Sequence, residues 1–312
     1  MTTSTLPLAC PACGDGALIA QESGALCSFC GHAFDERRGI LHLVTGRRGA
    51  PSYRPHELPR FAAVEETHFW FLARREAILA ALRRLVPDLA SRPLLDLGCG
   101  TGALATFLER SGVPLALGCD AHLEGLAIAR ERTRAPLALV DEGWLPPLRA
   151  GQRLIGLFDV LEHIDDDQSV LEALFRSLAP GGVLVITVPA HPFLFDEMDE
   201  LAHHRRRYTR LGLEQKLRLV GFELRLITHF MATLVPLLVV ARALGRALTG
   251  PTRTAERRRW QELRVIPMLN GLLLALLRAE RWLARGRSLR FGTSLLAIAV
   301  HPAGRAPTER EP

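Results

Sequence analysis

Residues 94–102 read LLDLGCGTG, an apolar stretch that runs into three alternating glycines with Asp96 just ahead of the first. A short apolar run ending in glycines reads as a buried strand entering a tight loop, where backbone amides can approach a ligand closely. Strand-like runs at 93–97, 115–120, 137–140, 154–159, 182–188, 223–228 and 294–300 have helix-length segments between most of them. Such alternation predicts an α/β fold on a seven-stranded, doubly wound, mostly parallel sheet, with ligands at the carboxyl ends of the strands. The glycine loop stands at that edge.

The loop is not a dinucleotide fingerprint. GxGxxG sites press amides against a pyrophosphate, whereas here Gly98, Gly100 and Gly102 alternate, position 103 is Ala, and Asp96 repels phosphate. A carboxylate at this point suits a ligand with an ammonium and a sulfonium charge. The second strand ends Gly-Cys-Asp, placing Asp120 where a carboxylate accepts both hydroxyls of a ribose; Asp141 and Glu142 follow the third strand, where an acid accepts from an adenine amino group. With LFDVLEH and LAPGGVLVITVP, this set across residues 94–190 resembles the class I S-adenosylmethionine-dependent methyltransferases. The resemblance implies a Rossmann-like fold, S-adenosylmethionine as cofactor, and Asp96, Gly98, Gly100, Gly102, Asp120, Asp141, Glu142 and Asp159 around it. Arg74 is the candidate partner for the carboxylate of the cofactor's methionine moiety.

The acceptor side is read from two further stretches. Enzymes of this class that act on exocyclic amines carry (Asn/Asp)-Pro-Pro-aromatic after the fourth strand, but this chain reads Asp159-Val160-Leu161-Glu162-His163. That pattern is similar to the family around ubiquinone O-methyltransferases, which implies His163 as a general base near neutral pH. Glu162 either orients that imidazole or shares a metal with it; the alternative is a helix-start pair that merely closes over the cofactor. The stretch Asp199–Thr209, with His68-Phe69-Trp70-Phe71 near the amino terminus, resembles a bacterial branch of the class with an Asp, a His and an Arg-Arg-Tyr-Thr run after the fifth strand. It implies a substrate pocket with Trp70, Asp199, Arg206, Arg207 and Tyr208, and a second base. An extra Arg leaves His203 or His204 for that base, and counting back from Tyr208 favours His204. The competing reading is a solvated basic turn before a helix at 211–219. Asp165, Asp166 and Asp167 read as the acidic first turn of a helix.

Cys10, Cys13, Cys27 and Cys30 form two CxxC knuckles, spaced for a closed tetrahedral zinc site of structural type. The tract that follows resembles the small zinc ribbon of the tRNA-methyltransferase activator family. The domains are therefore expected as a ribbon at 1–46, a Pro/Gly/Arg-rich linker at 47–60, a methyltransferase domain at 61–229 and 286–304, a helical insertion at 230–285 before the last strand, and a disordered tail at 305–312. Phe69 to Leu85 carries helical periodicity that Pro87 ends.

Charge is unevenly placed. Residues 230–290 hold twelve Arg and three Glu, a net of +9 against +6 for the whole chain, so the remainder sums to about −3. This argues against a generally nucleic-acid-coated protein and points to an anionic partner at one place. In the same segment FMATLVPLLVVA and VIPMLNGLLLALL are uncharged runs near Trp260 and Trp282, too short to span a bilayer. They fit a membrane-interface surface or a lid over an apolar channel, and equally a helical subdomain buried against the core or a dimer partner. With no recognisable leader or spanning run, a cytoplasmic protein is expected, seated peripherally on the inner face of the membrane if that segment meets lipid. The combined expectation is O-methylation of an amphiphilic, lipid-linked or hydrophobic small molecule. The alternatives are an RNA methyltransferase that reads its substrate through the ribbon, and a non-catalytic cofactor- or partner-binding module. The sequence leaves the oligomeric state open.

Overall fold

The computed structural model describes residues 5–46, 57–141, 145–237, 263–284 and 287–303. Glu142, most of the linker, the Arg-rich stretch with Trp260 and the tail at 305–312 lie outside the described residues.

The chain opens with five short strands, β1 (Thr5–Ala9), β2 (Ala17–Gln21), β3 (Gly24–Cys27), β4 (Ala33–Arg37) and β5 (Ile40–His42). Helices α1 (Leu58–Glu65) and α2 (Phe69–Leu85) follow, then β6 (Leu94–Leu97), α3 (Ala103–Arg110), β7 (Leu115–Asp120), α4 (Leu123–Arg132), β8 (Leu137–Leu139) and β9 (Gln152–Phe158). The remainder comprises α5 (Asp167–Ser177), β10 (Leu178–Pro189), α6 (Glu197–Leu201), α7 (Arg210–Val220), β11 (Glu223–Phe230), α8 (Pro267–Leu283) and β12 (Ser294–Val300).

The seven strands read from the sequence are all present, in the spatial order β8-β7-β6-β9-β10-β12-β11. Neighbours are parallel except β12, which runs antiparallel between β10 and β11. The sheet is thus mixed and covered on both sides. One core joins Leu95, Leu97, Ile155 and Ile186 to Leu171 and Leu174 of α5 and Leu213 and Leu217 of α7. The other joins Leu94, Leu154 and Val185 to Ile78 and Leu82 of α2, Leu108 of α3 and Leu277 of α8. Burial on both faces is why β6 and β10 read as unbroken apolar runs. Each such Leu or Ile contributes about 1.5–3 kcal/mol by leaving water.

Two expectations are corrected. The linker does not extend to 60, because Glu57 is buried and α1 starts at Leu58. Pro59 suggested a loop, yet proline fits the first turn of a helix, where its missing N–H needs no acceptor. Nor is the ribbon a separate appendage, since β5 pairs in parallel with β8, with Leu41 opposite Ala138. One twelve-stranded sheet results. An exposed β8 edge would leave unpaired amides and carbonyls, and the ribbon covers it.

The insertion is only partly described. Phe230, the first residue of the first apolar run, belongs to β11, and the part from 238 to 241 lies outside the described residues. The second run forms α8, which packs along α2. No helix among the described residues is long and apolar enough to cross a membrane.

Candidate active site

A cavity of about 790 Å³ opens at the carboxyl ends of β6, β7 and β9. Successive connections depart in opposite directions between β6 and β9, which splays the loops and leaves a crevice there. Its size lies in the upper part of the range of about 300–1,000 Å³ typical of small-molecule sites.

The glycine loop forms one wall. Gly98, Gly100 and Gly102 all have positive φ, between 56° and 83°. A side chain at Gly98 would run into Val160, and one at Gly102 would meet Ala129 at 2.8 Å. The turn is held by Asp120, whose carboxylate accepts from the Gly100 amide at 2.7 Å, the His122 amide at 2.9 Å and the His122 ring at 3.0 Å. Gly102 caps α3 behind the loop and does not line the cavity.

Asp96 is 1% exposed at the base of the cavity, and its Oδ1 has no hydrogen-bond partner. Burial pushes its carboxyl up to about 7, with the Arg74 charge opposing and Asp120 reinforcing. A buried acceptor without a donor is costly, and a ligand ammonium would supply one. Arg74 reaches the same floor but is engaged there, its guanidinium 2.5 Å from Asp159 and 3.4 Å from Thr187 Oγ1, with Trp70 at 5.7 Å. Its Nε is buried and unpartnered.

Asp141 lines the cavity, but its oxygens accept from the Thr45 amide at 3.0 Å, the Thr45 hydroxyl at 2.6 Å and the Gly46 amide at 3.2 Å. It fastens the end of the ribbon to the sheet, a contact across ninety-six positions that spacing did not suggest.

The opposite wall carries Glu162, His163 and His204. The first two sit on a 3₁₀ turn after β9, and His204 follows α6. The rings of His163 and His204 lie edge to face at 4.9 Å. Asp199 holds His204 Nδ1 at 2.7 Å and receives both contacts of Arg207 Nε at 2.9 Å. Burial works against ionisation of Asp199, yet His204 and Arg207 together keep its carboxyl below the usual range. Burial, helped by the nearby His204, drives the His163 imidazolium down to about 3, so His163 is neutral. His203 has a positive φ of 58° and stays off the cavity, whereas His204 lines it.

Trp70 and Arg207 face the cavity; Asp199, Arg206 and Tyr208 stand behind its wall. Tyr208 is 4% exposed and donates to Asp167 at 2.8 Å, while Arg206 pairs with Asp167 at 3.3 Å and bonds the Asp165 carbonyl at 2.8 Å. The sequence placed all three on the substrate; packing makes Arg206 and Tyr208 struts, because Asp167 is a buried anchor as well as the first residue of α5, and makes Asp199 the support of His204 and Arg207. Asp166 is the N-cap proper, bonding the Ser169 amide at 3.1 Å.

Several cavity residues escaped the sequence reading. Glu65 accepts a short hydrogen bond from Thr101 of the glycine loop. Asn270 of α8 accepts from the Phe69 amide at 2.7 Å and donates to the Thr67 carbonyl at 2.9 Å, docking the insertion on the start of α2. Leu234, Ile266, Leu269 and Leu273 then roof the cavity with apolar surface. Glu65 lay beside an apparent linker, and Asn270 acts across two hundred residues, so neither left a local signal.

In the ribbon, Cys10 and Cys30 sulfurs are 3.8 Å apart and Cys13 and Cys27 sulfurs 3.7 Å. Four sulfurs about 2.3 Å from one centre are separated by about 3.8 Å, so these distances match the edges of a zinc tetrahedron. The amides of Phe29 and Cys30 point at Cys27 Sγ, each at 3.4 Å.

Comparison with known proteins agrees with this layout. The family described as "Methyltransferase domain" matches residues 70–227. The chain is 36% identical over 124 residues to a trans-aconitate 2-methyltransferase of Rhizobium meliloti, covering 38% of this chain and 44% of that protein. It is 32% identical over 111 residues to a ubiquinone biosynthesis O-methyltransferase of Pseudomonas aeruginosa, covering 33% and 47%. The chain thus spans about half the length of the curated relatives it matches. Among solved structures, a phosphoethanolamine N-methyltransferase 2 of Haemonchus contortus with S-adenosyl-L-methionine superposes at a TM-score of 0.51 and 18% identity, over 80% of this chain and 58% of that one. A complex of the Haloferax volcanii Trm112 methyltransferase activator with a methyltransferase gives 0.50 and 18%, over 80% and 96%. At these identities the likeness is one of fold.

Proposed function

This chain belongs to the methyltransferase-domain family, and on that premise we propose that it transfers a methyl group from S-adenosylmethionine to an oxygen of an amphiphilic or hydrophobic small molecule. One observation carries the reading: a single cavity joins the glycine loop, with Asp96 and Asp120, to the Glu162, His163 and His204 wall under an apolar roof. When bound, S-adenosylmethionine supplies a sulfonium methyl that an acceptor oxygen takes as the C–S bond breaks, leaving S-adenosylhomocysteine and a proton from the acceptor.

The residues divide the work accordingly. Asp96 receives the cofactor's ammonium, and Asp120 receives ribose hydroxyls beside its contact to Gly100. Arg74 neutralises Asp159 on the floor of the site, which leaves Asp96 and Asp120 as the acids that meet the cofactor's positive charge. The Asp199-oriented His204 faces the acceptor and takes up its proton, whereas His163, expected from the sequence as the base, is kept neutral by burial, which pushes it down to about 3, and lines the wall instead. Leu269 and Leu273 exclude water from the acceptor's apolar part. Cys10, Cys13, Cys27 and Cys30 hold a structural zinc ion that braces the ribbon; no step of the reaction involves them. A seat at a membrane surface through the outer face of α8 accompanies this reading.

The test is transfer from radiolabelled S-adenosylmethionine into a cell extract, separated into organic-soluble, aqueous small-molecule and RNA fractions. Label in the organic fraction is the expected result. Label confined to RNA would overturn the acceptor class, and cofactor binding without label in any fraction would favour a binding module.

A further inference from the structure

Glu162 is the most anomalous side chain in the cavity wall. It is fully buried, and neither carboxylate oxygen has a hydrogen-bond partner. Burial raises its carboxyl well above the normal range, and Asp159 adds to the effect. An isolated buried carboxyl of this kind is expensive, and two orphaned acceptors are more so. A structure that merely closed over a cofactor would gain by placing an apolar residue here.

Its neighbours suggest what the oxygens are for. His204 Nε2 lies 4.0 Å from Glu162 Oε1, while Asp199 occupies the other ring nitrogen at 2.7 Å. A carboxylate on Nδ1 fixes the ring so that Nε2 presents its lone pair, the arrangement that orients metal-ligating histidines. The His163 ring, edge to face with His204 at 4.9 Å, adds a second imidazole. One ligand atom from each of Glu162, His163 and His204 lies within 4.8 Å of the others, and all three residues border the cavity.

We propose that Glu162, His163 and His204 bind a divalent transition-metal ion at the acceptor wall, with Asp199 as the positioning residue for His204. Two imidazoles and one carboxylate suit zinc, cobalt, iron or manganese better than magnesium or calcium, which favour all-oxygen sets. Three protein ligands leave coordination positions open toward the cavity. An acceptor hydroxyl, or a hydroxyl beside a second oxygen, would occupy them, and a Lewis acid there would make that hydroxyl more acidic, so that with the ion bound its proton leaves without His204 as the base. The part concerning the acceptor rests on the methyl-transfer reading; the metal site does not.

The experiment titrates the full chain, its ribbon already loaded with zinc, with cobalt(II) and follows visible d–d absorption. Cofactor affinity is measured by calorimetry on the same preparations. One equivalent of cobalt without thiolate charge-transfer bands is expected, with binding weakened more than tenfold in Glu162→Gln and His204→Ala and about 10–100-fold in Asp199→Asn. Glu162→Gln preserves shape and removes a buried ionisable group, so its melting temperature without metal should match or exceed that of the parent. Wild-type protein that takes up no cobalt at millimolar concentration, cobalt that reports only thiolate ligation, or binding that all three variants keep would overturn the site. A chain that binds cofactor but no cobalt loses the metal and keeps the proposed reaction; cobalt without cofactor does the reverse.

Discussion

Asp96 shows how much one residue can carry. Its type and place were legible because a carboxylate ahead of a glycine loop excludes phosphate; its energetic state was not, because that depends on how completely the fold dries it. An acid whose folded value stands at about 7, against about 3.9 when unfolded, keeps its proton longer in the fold. It therefore costs stability as pH rises past about 4, with the full cost above about 7. Asp96→Asn removes that cost. Without cofactor, the variant should be more stable than the parent at pH 8, by up to about 4 kcal/mol, and should show no advantage at pH 4. A gain of equal size at both pH values would contradict the assignment. Calorimetry should also show cofactor affinity reduced by about tenfold or more, the usual worth of a hydrogen bond to a charged group. Asp141 teaches the opposite lesson: its position after β8 fitted an adenine partner, but Thr45 and Gly46 occupy it, and contacts between residues so far apart in the chain leave no local pattern.

At the scale of elements, legibility followed burial. The strands β6 to β12 were placed to within a few residues because strands covered on two faces must be apolar throughout, and α2 because its apolar residues recur at helical spacing and Pro87 ends it; its His68 cap was not read. The pairing of β5 with β8 was invisible, since strand registry depends on a partner far along the chain. The helix α8 was read as apolar without a direction for its faces. Leu274 and Leu277 turn toward α2, Leu269 and Leu273 toward the cavity, and Met268, Leu272, Trp282 and Leu283 toward the outside. Arg278 and Arg281 pair with Glu76 on α2, at 2.5 and 2.9 Å, and so hold the helix down. An outward apolar stripe beside an Arg-rich segment is suited to anionic lipid. The chain should co-sediment with anionic vesicles at low salt and dissociate as salt rises, and the double variant Met268→Glu, Leu272→Glu should pellet several-fold less while binding cofactor normally. Wild-type protein that stays in the supernatant at low salt would leave α8 with its roofing role alone.

At the scale of the molecule, the ribbon and the cofactor domain are one mechanical unit. Leu8, Cys10 and Leu18 share a core with Leu95, Leu97 and Leu117, so the knuckles and the glycine-loop strand are packed into the same apolar interior. Backbone bonds cross the junction from Ala9 to Pro147 at 2.8 Å, from Arg149 to Pro7 at 3.0 Å and from Leu43 to Leu139 at 2.8 Å. Thr45 and Gly46 then tie the junction to Asp141 at the rim of the cavity. Stability supplied by a metal at the four cysteines is therefore spread through the whole sheet. Structural zinc contributes about 10 kcal/mol or more in small autonomous fingers. Retaining even a third of that here would move the melting midpoint by about 6–12 °C, taking about 2–4 °C per kcal/mol for a domain of about 150–250 residues. Stripping the metal with a chelator, or substituting Cys13→Ser and Cys27→Ser, should lower one cooperative transition by that amount and weaken cofactor binding as the β8 edge frays. Two resolved transitions, the lower one sensitive to the chelator and the upper one unmoved, would show that the ribbon melts by itself and that the shared sheet transmits nothing to the site.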